Sequence, residues 1–227
     1  MTSLTDHTPL HLAITFKQFD AAVRLIHCGA KLNLEDEKGL TPLYTSIVVN
    51  DVRMTEMLLK HGARLLPSQY LLNYTIRNRM TDMTKLLIRA GENVNGRDYI
   101  GWTPILLAIN ERDTDIIEFL LANGATMNRN DYILRELHIA VQESQSQEEF
   151  QRLFNVLHRN GVNIDNLNKW GETPLCLAML MEKNLLAEFL IREGANVNSG
   201  STIKAKDCLV LARDSKCVNL MRLFGKL

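Results

Sequence analysis

The chain has 227 residues, and its 26 Lys+Arg balance its 26 Asp+Glu to a formal net charge of zero, which argues against a nucleic-acid coat or a polybasic membrane tether. With 46% hydrophobic and 23% charged residues it has the composition of a globular chain with a substantial core. No apolar run approaches the roughly 20 residues that cross a bilayer, and Asp6, His7 and His11 occupy the opening stretch where a signal peptide is apolar, so the expected location is the cytoplasm or nucleus.

One phrase recurs, at Thr8-Pro9-Leu10-His11, Thr41-Pro42-Leu43-Tyr44, Thr103-Pro104-Ile105-Leu106 and Thr173-Pro174-Leu175-Cys176, and such self-similarity marks a repeat array. A glycine follows each Thr 21 residues on, at Gly29, Gly62, Gly124 and Gly194. In the first repeat Thr8 is placed to accept a backbone N–H and Pro9 suits a first helical turn, so a short helix starts there. A second apolar-periodic run, Ala22 to Ile26, ends at Gly29 in the left-handed position that closes a helix.

The second repeat opens at Thr41 and runs through Met54, Met57, Leu58 and Leu59 to Gly62. The third lacks Thr-Pro: counting back 21 from Gly91 lands on Tyr70, behind a linker through Pro67 that is four residues short. The fourth opens at Thr103, with Ile116, Ile117, Phe119 and Leu120 in its second helix. The fifth opens at Arg135, because Leu137-His138-Ile139-Ala140 matches Leu10-His11-Leu12-Ala13, and Gly161 comes five residues late. That insertion, in the polar stretch Gln142 to Glu149, is expected to be a solvated loop between the two helices. The sixth repeat opens at Thr173 and a seventh near Asp207. Turn-rich segments such as Asn33 to Gly39 and Asn95 to Gly101 read as hairpin loops between helix pairs.

These phrases, with Leu86-Leu87-Ile88-Arg89-Ala90-Gly91 and the Val94-Asn95 pair, resemble the ankyrin-repeat family from Thr8 to Leu227. The resemblance implies an all-α solenoid of stacked antiparallel helix pairs with projecting β-hairpin loops and a concave face made by the first helices. Residues 1–227 read as one domain whose first and last repeats act as caps. The start at Met1 suggests a complete small protein, although the ankyrin region of a larger one would read alike.

A search for chemistry yields no catalytic group, cofactor site or metal site. Cys28, Cys176, Cys208 and Cys217 form no C-x-x-C pair and are expected to be buried, reduced thiols, the alternative being a Cys208–Cys217 bridge that would need an oxidising compartment. The resemblance gives His11 a structural role, tying adjacent repeats by hydrogen bonds. The stretch Gly91 to Gly96 lacks the Lys-Ser/Thr of a phosphate loop.

In the family, recognition positions are the hairpin-tip residues and the first-helix residues facing the groove. Carried onto this sequence, they give Arg97, Tyr99, Ile100 and Trp102, then Asn130, Tyr132 and Ile133, then Lys169, Trp170 and Glu172. The groove positions are Phe16, Val48, Val49, Arg77, Asn78, Asn110, Glu111, Leu180 and Met181. Tyr and Trp are disproportionately interface anchors. The expectation is a non-enzymatic interaction module, monomeric, binding a protein partner as a peptide segment or helix through Arg77, Arg97, Tyr99, Ile100, Trp102, Tyr132, Ile133, Lys169 and Trp170. Within the family this could be an inhibitor of a transcription factor or a substrate-recognition subunit of a ubiquitin ligase, though the latter normally carries a further C-terminal box. The resemblance also makes Asn95 and Asn198 candidates for hydroxylation.

Overall fold

A computed structural model describes residues 8–65, 70–127, 136–197 and 199. Among them are twelve helices and no strand: α1 (Pro9–Thr15), α2 (Phe19–His27), α3 (Pro42–Val48), α4 (Val52–Lys60), α5 (Leu71–Arg77), α6 (Thr81–Arg89), α7 (Pro104–Asn110), α8 (Thr114–Ala122), α9 (Glu136–Glu143), α10 (Gln147–Arg159), α11 (Pro174–Leu180) and α12 (Asn184–Arg192). The expected helix pair is present in each of the first six repeats. The seventh, with Cys208 and Cys217, lies outside the described residues, as do Asn130, Tyr132, Ile133 and Asn198. The chain divides into two compact bodies, residues 1–104 and 105–227.

Helix ends follow from capping chemistry. Thr8, Thr41 and Thr173 accept from the backbone N–H three residues on, with Pro next in line at the position whose donor would be orphaned. Tyr70, which stands in for Thr, supplies no side-chain cap and opens α5 from a left-handed conformation at φ 45°. Asp51 and Asp113 cap α4 and α8. Gly29, Gly62, Gly91, Gly124, Gly161 and Gly194 all follow second helices with φ between 83° and 96°, where other residues are strained.

A second left-handed position escaped the sequence reading. Nine residues after the repeat starts, between the two helices, stand Lys17, Asn50, Arg79, Arg112 and Glu182 with φ from 52° to 60°, the fifth repeat with its insertion being the exception among the six described. Asn tolerates this region; the other four carry a steric penalty from Cβ.

In the N-terminal body Leu10, Ile14, Leu43, Ile47, Met54, Leu58, Leu71 and Met83 are fully buried where helices of neighbouring repeats meet. Hydroxyl pairs tie first to second helices inside that core, Ser46 to Thr55 at 2.8 Å and Thr84 to Thr75 at 2.9 Å. In the C-terminal body Phe189 meets Phe150 and Phe154 edge-on, with ring centroids 5.8 and 5.1 Å away.

The five-residue insertion is not the expected loop. α9 is one residue longer than the other first helices and α10 four longer than the other second helices, which absorbs all five and leaves three connecting residues, as elsewhere. The reason is a Ser-x-x-Glu cap visible in the sequence, a variant of the capping box: Ser146 Oγ accepts from Glu149 N–H, while the Glu149 carboxylate accepts from the N–H of Gln145, one residue before the cap. Two cations brace this corner. Lys183 Nζ donates to the carbonyls of Val141, Gln142 and Ser144 at 2.7, 2.7 and 3.0 Å, so all three of its hydrogens are used. Arg112 pairs with Glu149 at 3.0 Å and donates to the Glu143 carbonyl at 3.2 Å. Burial pushes the Lys183 ammonium below its ordinary value, against the pull of Glu143 and Glu149. Cys176 is buried as expected, whereas Cys28 is exposed because it follows the last residue of α2, past the packed face.

Two outcomes follow. Lys183→Met, which keeps the stem and removes the donors, should lower stability by about 2–3 kcal/mol in urea unfolding, because it strips charge-assisted bonds from helix-end carbonyls. Lys17→Gly should raise it by about 1 kcal/mol by removing the left-handed penalty.

Candidate functional site

Three described hairpins between repeats share one construction. Asp36, Asp98 and Asn168 are buried, at 8%, 7% and 6% exposure, although they lie in surface turns. Asp98 Oδ1 accepts from the N–H groups of Ile100 and Trp102 at 3.1 and 2.8 Å, and Asp98 N–H donates to the Trp102 carbonyl at 3.0 Å. Asp36 does the same with Lys38 and Leu40, and Asn168 with Trp170 and Glu172. One side chain therefore pins each turn from inside, a stronger form of the Asx turn. These are hydrogen-bonded hairpin turns without an extended ladder.

The preceding repeat grips the same point. His11 Nε2–H donates to the Leu40 carbonyl at 2.9 Å, Asn73 Nδ2–H to the Trp102 carbonyl at 3.1 Å, and His138 Nε2–H to the Glu172 carbonyl at 2.8 Å. Leu40, Trp102 and Glu172 stand immediately before the next Thr, so the structural role expected for His11 is present and recurs at Asn73 and His138.

Five of the sequence-chosen residues meet around Asp98. Arg77 reaches from the end of α5 to pair with the Asp98 carboxylate at 3.1 Å, its guanidinium carbon 5.9 Å from the Trp102 ring centroid. Arg97 donates to the Gly101 carbonyl at 3.2 Å across the turn. Tyr99 and Ile100 project beyond them, 84% and 52% exposed. Trp102 differs from the expectation of an open tip residue: it is half-buried, because its main chain belongs to the pinned junction and Arg77 leans over its ring. Burial pushes the Asp98 carboxyl up, but bonds from Trp102 N–H, Arg77, Ile100 N–H and Asn73 outweigh it and hold the pKa below its ordinary value. Sequence reasoning treated that Asp as a turn residue and missed that it organises the site.

In the C-terminal body Lys169 Nζ lies 4.4 Å over the centroid of the 60%-exposed Trp170 ring. Of the groove positions, Phe16, Val48, Leu180 and Met181 are exposed apolar residues, Arg77 and Asn78 are exposed, and Val49 is half-buried. Asn110 and Glu111 are half-buried and bonded to each other at 3.3 Å. Among the described residues no three His, Cys, Asp or Glu side chains are grouped to hold a metal ion, and no helix is long and apolar enough to cross a membrane.

This architecture is that of a repeat scaffold displaying side chains on pinned turns, and comparison with known proteins agrees. The family described as "Ankyrin repeats (3 copies)" matches residues 64–131, and that described as "Ankyrin repeat" matches residues 5–37 and 170–201. The chain belongs to the ankyrin-repeat family. The Notch protein of Drosophila melanogaster is 33% identical over 104 residues, covering 46% of this chain and 3% of its own length. Human Neurogenic locus notch homolog protein 1 is 29% identical over 178 residues, 78% of this chain and 6% of its own. The Gallus gallus Nuclear factor NF-kappa-B p105 subunit is 31% identical over 114 residues, 47% of this chain and 12% of its own. This chain thus spans a small fraction of the curated relatives it matches. Among solved structures, the ankyrin repeat domain of Bcl-3 gives a TM-score of 0.78 at 21% identity, covering 95% of this chain and 98% of that one. The human ASB11 ankyrin repeat domain gives 0.70 at 21%, covering 97% and 98%.

Asp98→Ala should cost about 2 kcal/mol, since it leaves the part-buried Ile100 and Trp102 N–H donors and the Arg77 guanidinium without their carboxylate. Asp98→Asn should cost less, because Asn168 already builds the same turn. Since the Asp98 pKa is depressed on folding, its contribution is present above the unfolded-state value near 3.8 and is lost as pH falls below it. The destabilisation by Asp98→Ala in urea melts should therefore shrink below about pH 4.

Proposed function

We propose that this chain binds a protein partner, as an extended segment or a helix, through its hairpin tips. Ankyrin repeats are protein–protein interaction modules, so the proposal concerns where and how this one binds. Tyr99, Ile100, Trp102 and Trp170 serve as anchors, with Arg77, Arg97 and Lys169 beside them; Tyr132 and Ile133, outside the described residues, belong to the same proposed set on their sequence positions alone. The observation that carries the reading is the exposure of Tyr99 and Ile100, 84% and 52%, on a turn whose backbone is already fixed from inside by Asp98.

Large apolar side chains on a flexible loop would collapse onto the nearest surface or lose entropy on binding. On a pinned turn they stay presented, so little ordering cost opposes association. No step of chemistry is assigned to the chain, and a partner met in the cytoplasm or nucleus suits the scaffold.

The test is affinity capture followed by titration of the retained protein against wild type, Tyr99→Ala, Trp170→Ala and a control, Lys60→Ala, on the exposed side of α4. Each aromatic truncation should weaken binding by about 30-fold, corresponding to about 2 kcal/mol for an anchor. Equal affinities for all four proteins would move the site off the tips.

A further inference from the structure

The repeats can be compared with one another at the position after the helix-ending glycine. It holds Ala30, Ala63, Ala125, Val162 and Ala195 in five repeats, and Glu92 in the third. Ala63, Ala125, Val162 and Ala195 are buried, at 5–8% exposure, because the chain leaves the second helix there and turns inward. Glu92 puts a carboxylate on that inward path, where it is half-buried. Among the described residues no hydrogen bond or ion pair joins its carboxylate to another side chain. A partly desolvated carboxylate without a partner is costly.

Glu92 lines a cleft of about 410 Å³ together with Leu65, Tyr70, Leu72, Asn73 and Arg97. The first repeat has a hollow of about 310 Å³ in the same register, lined by Thr8, Leu10 and Ala30, the counterparts of Tyr70, Leu72 and Glu92. That hollow is apolar throughout except for Thr8 and Lys31. The third-repeat cleft follows the linker that is four residues short in the sequence, and it alone of the two carries a carboxylate. Leu65, Leu72 and the Tyr70 ring provide an apolar wall for an alkyl stem. Arg97, the neighbouring cation, has Nη1 committed to the Gly101 carbonyl at 3.2 Å.

We propose that this cleft receives a lysine or arginine side chain from the bound protein partner, its stem against Leu65, Leu72 and Tyr70 and its charge on Glu92. The inference rests on the tip-binding reading and deepens it, since Arg97 belongs both to the cleft and to the hairpin carrying Tyr99. A long basic side chain fits on physical grounds: it has the apolar stem and the single positive end that this wall and carboxylate complement. Burial also pushes the Glu92 carboxyl above its ordinary range. The native state therefore holds that proton more tightly than the unfolded chain, and the resulting destabilisation is absent at acid pH and grows as pH rises through that range.

The test uses small probes on the whole chain, so it is independent of partner identity. N-acetyl-arginine methylamide, titrated to millimolar concentration, should shift the Leu72 and Glu92 amide resonances. N-acetyl-citrulline methylamide, uncharged and nearly isosteric, should bind at least tenfold more weakly, and Glu92→Gln should erase the difference. Glu92→Ala, which installs the residue of four other repeats, should abolish the response and raise the thermal midpoint at pH 7. Equal response to both probes, an unchanged preference in Glu92→Gln, no response at all, or a lower midpoint for Glu92→Ala would each overturn the proposal. Those failures leave Tyr99 and the tips untouched, whereas an inert Tyr99→Ala variant would count against the tip reading and not against the cleft.

Discussion

Each of the three described hairpins depends on one backbone residue, the one immediately before the Thr that opens the next repeat. At Trp102 the N–H donates to the Asp98 carboxylate, while the carbonyl accepts both from Asp98 N–H and from the Asn73 side chain. Leu40 and Glu172 are held in the same three ways. A surface turn normally leaves such groups to water and wanders accordingly. Here they are satisfied by protein, and one of the three partners comes from the preceding helix pair. The bond therefore fixes a hairpin's shape and couples neighbouring repeats, which is how a quasi-one-dimensional stack gains stability.

The third repeat departs from its siblings at several points. It has no Thr-Pro, opens from a left-handed Tyr70, carries Asn73 where two others carry His, and replaces a small buried residue with Glu92. Its hairpin is the one with Arg77, Arg97, Tyr99 and Ile100 around the buried carboxylate. Departures from a locally consistent pattern are expected where function costs stability. Glu92, whose carboxylate has no side-chain partner among the described residues, is the clearest of these costs, because an alanine is structurally sufficient at the same place in four other repeats.

The fold was legible because its signals are local and recur at fixed spacing. Thr8-Pro9 and Gly29 name both ends of a repeat's helix pair through capping and backbone chemistry, and a phrase repeated four times leaves little freedom. What was not legible depended on partners far along the chain or on backbone angles without a residue signature. Lys17, Arg79, Arg112 and Glu182 adopt positive φ despite their side chains, and only their common offset from the repeat starts hints at it. Trp102 read as an exposed aromatic because nothing local shows Arg77 leaning over it from 25 residues upstream. The insertion near Gln142 read as a loop because its polar composition outweighed the cap formed by Ser146 and Glu149. Among site residues, Tyr99, Ile100 and Trp170 stood out by size and position, whereas Asp98 read only as part of a turn and Glu92 only as part of a hairpin leg: the burial of a short acid in a turn appears only in three dimensions.

The most direct test of the junction's role is amide hydrogen exchange in Asn73→Leu, a change that installs the residue type found as Leu106 at the same position of the next repeat. If the cross-repeat bond holds the hairpin, exchange at Ile100 and Trp102 should accelerate by about tenfold or more, the loss of one hydrogen bond worth about 1.5 kcal/mol. The interiors of α5 and α6 should keep their protection. Unchanged exchange at Ile100 and Trp102 would mean that Asp98 fixes the turn without help from the preceding repeat, and the account of a coupled junction would be wrong.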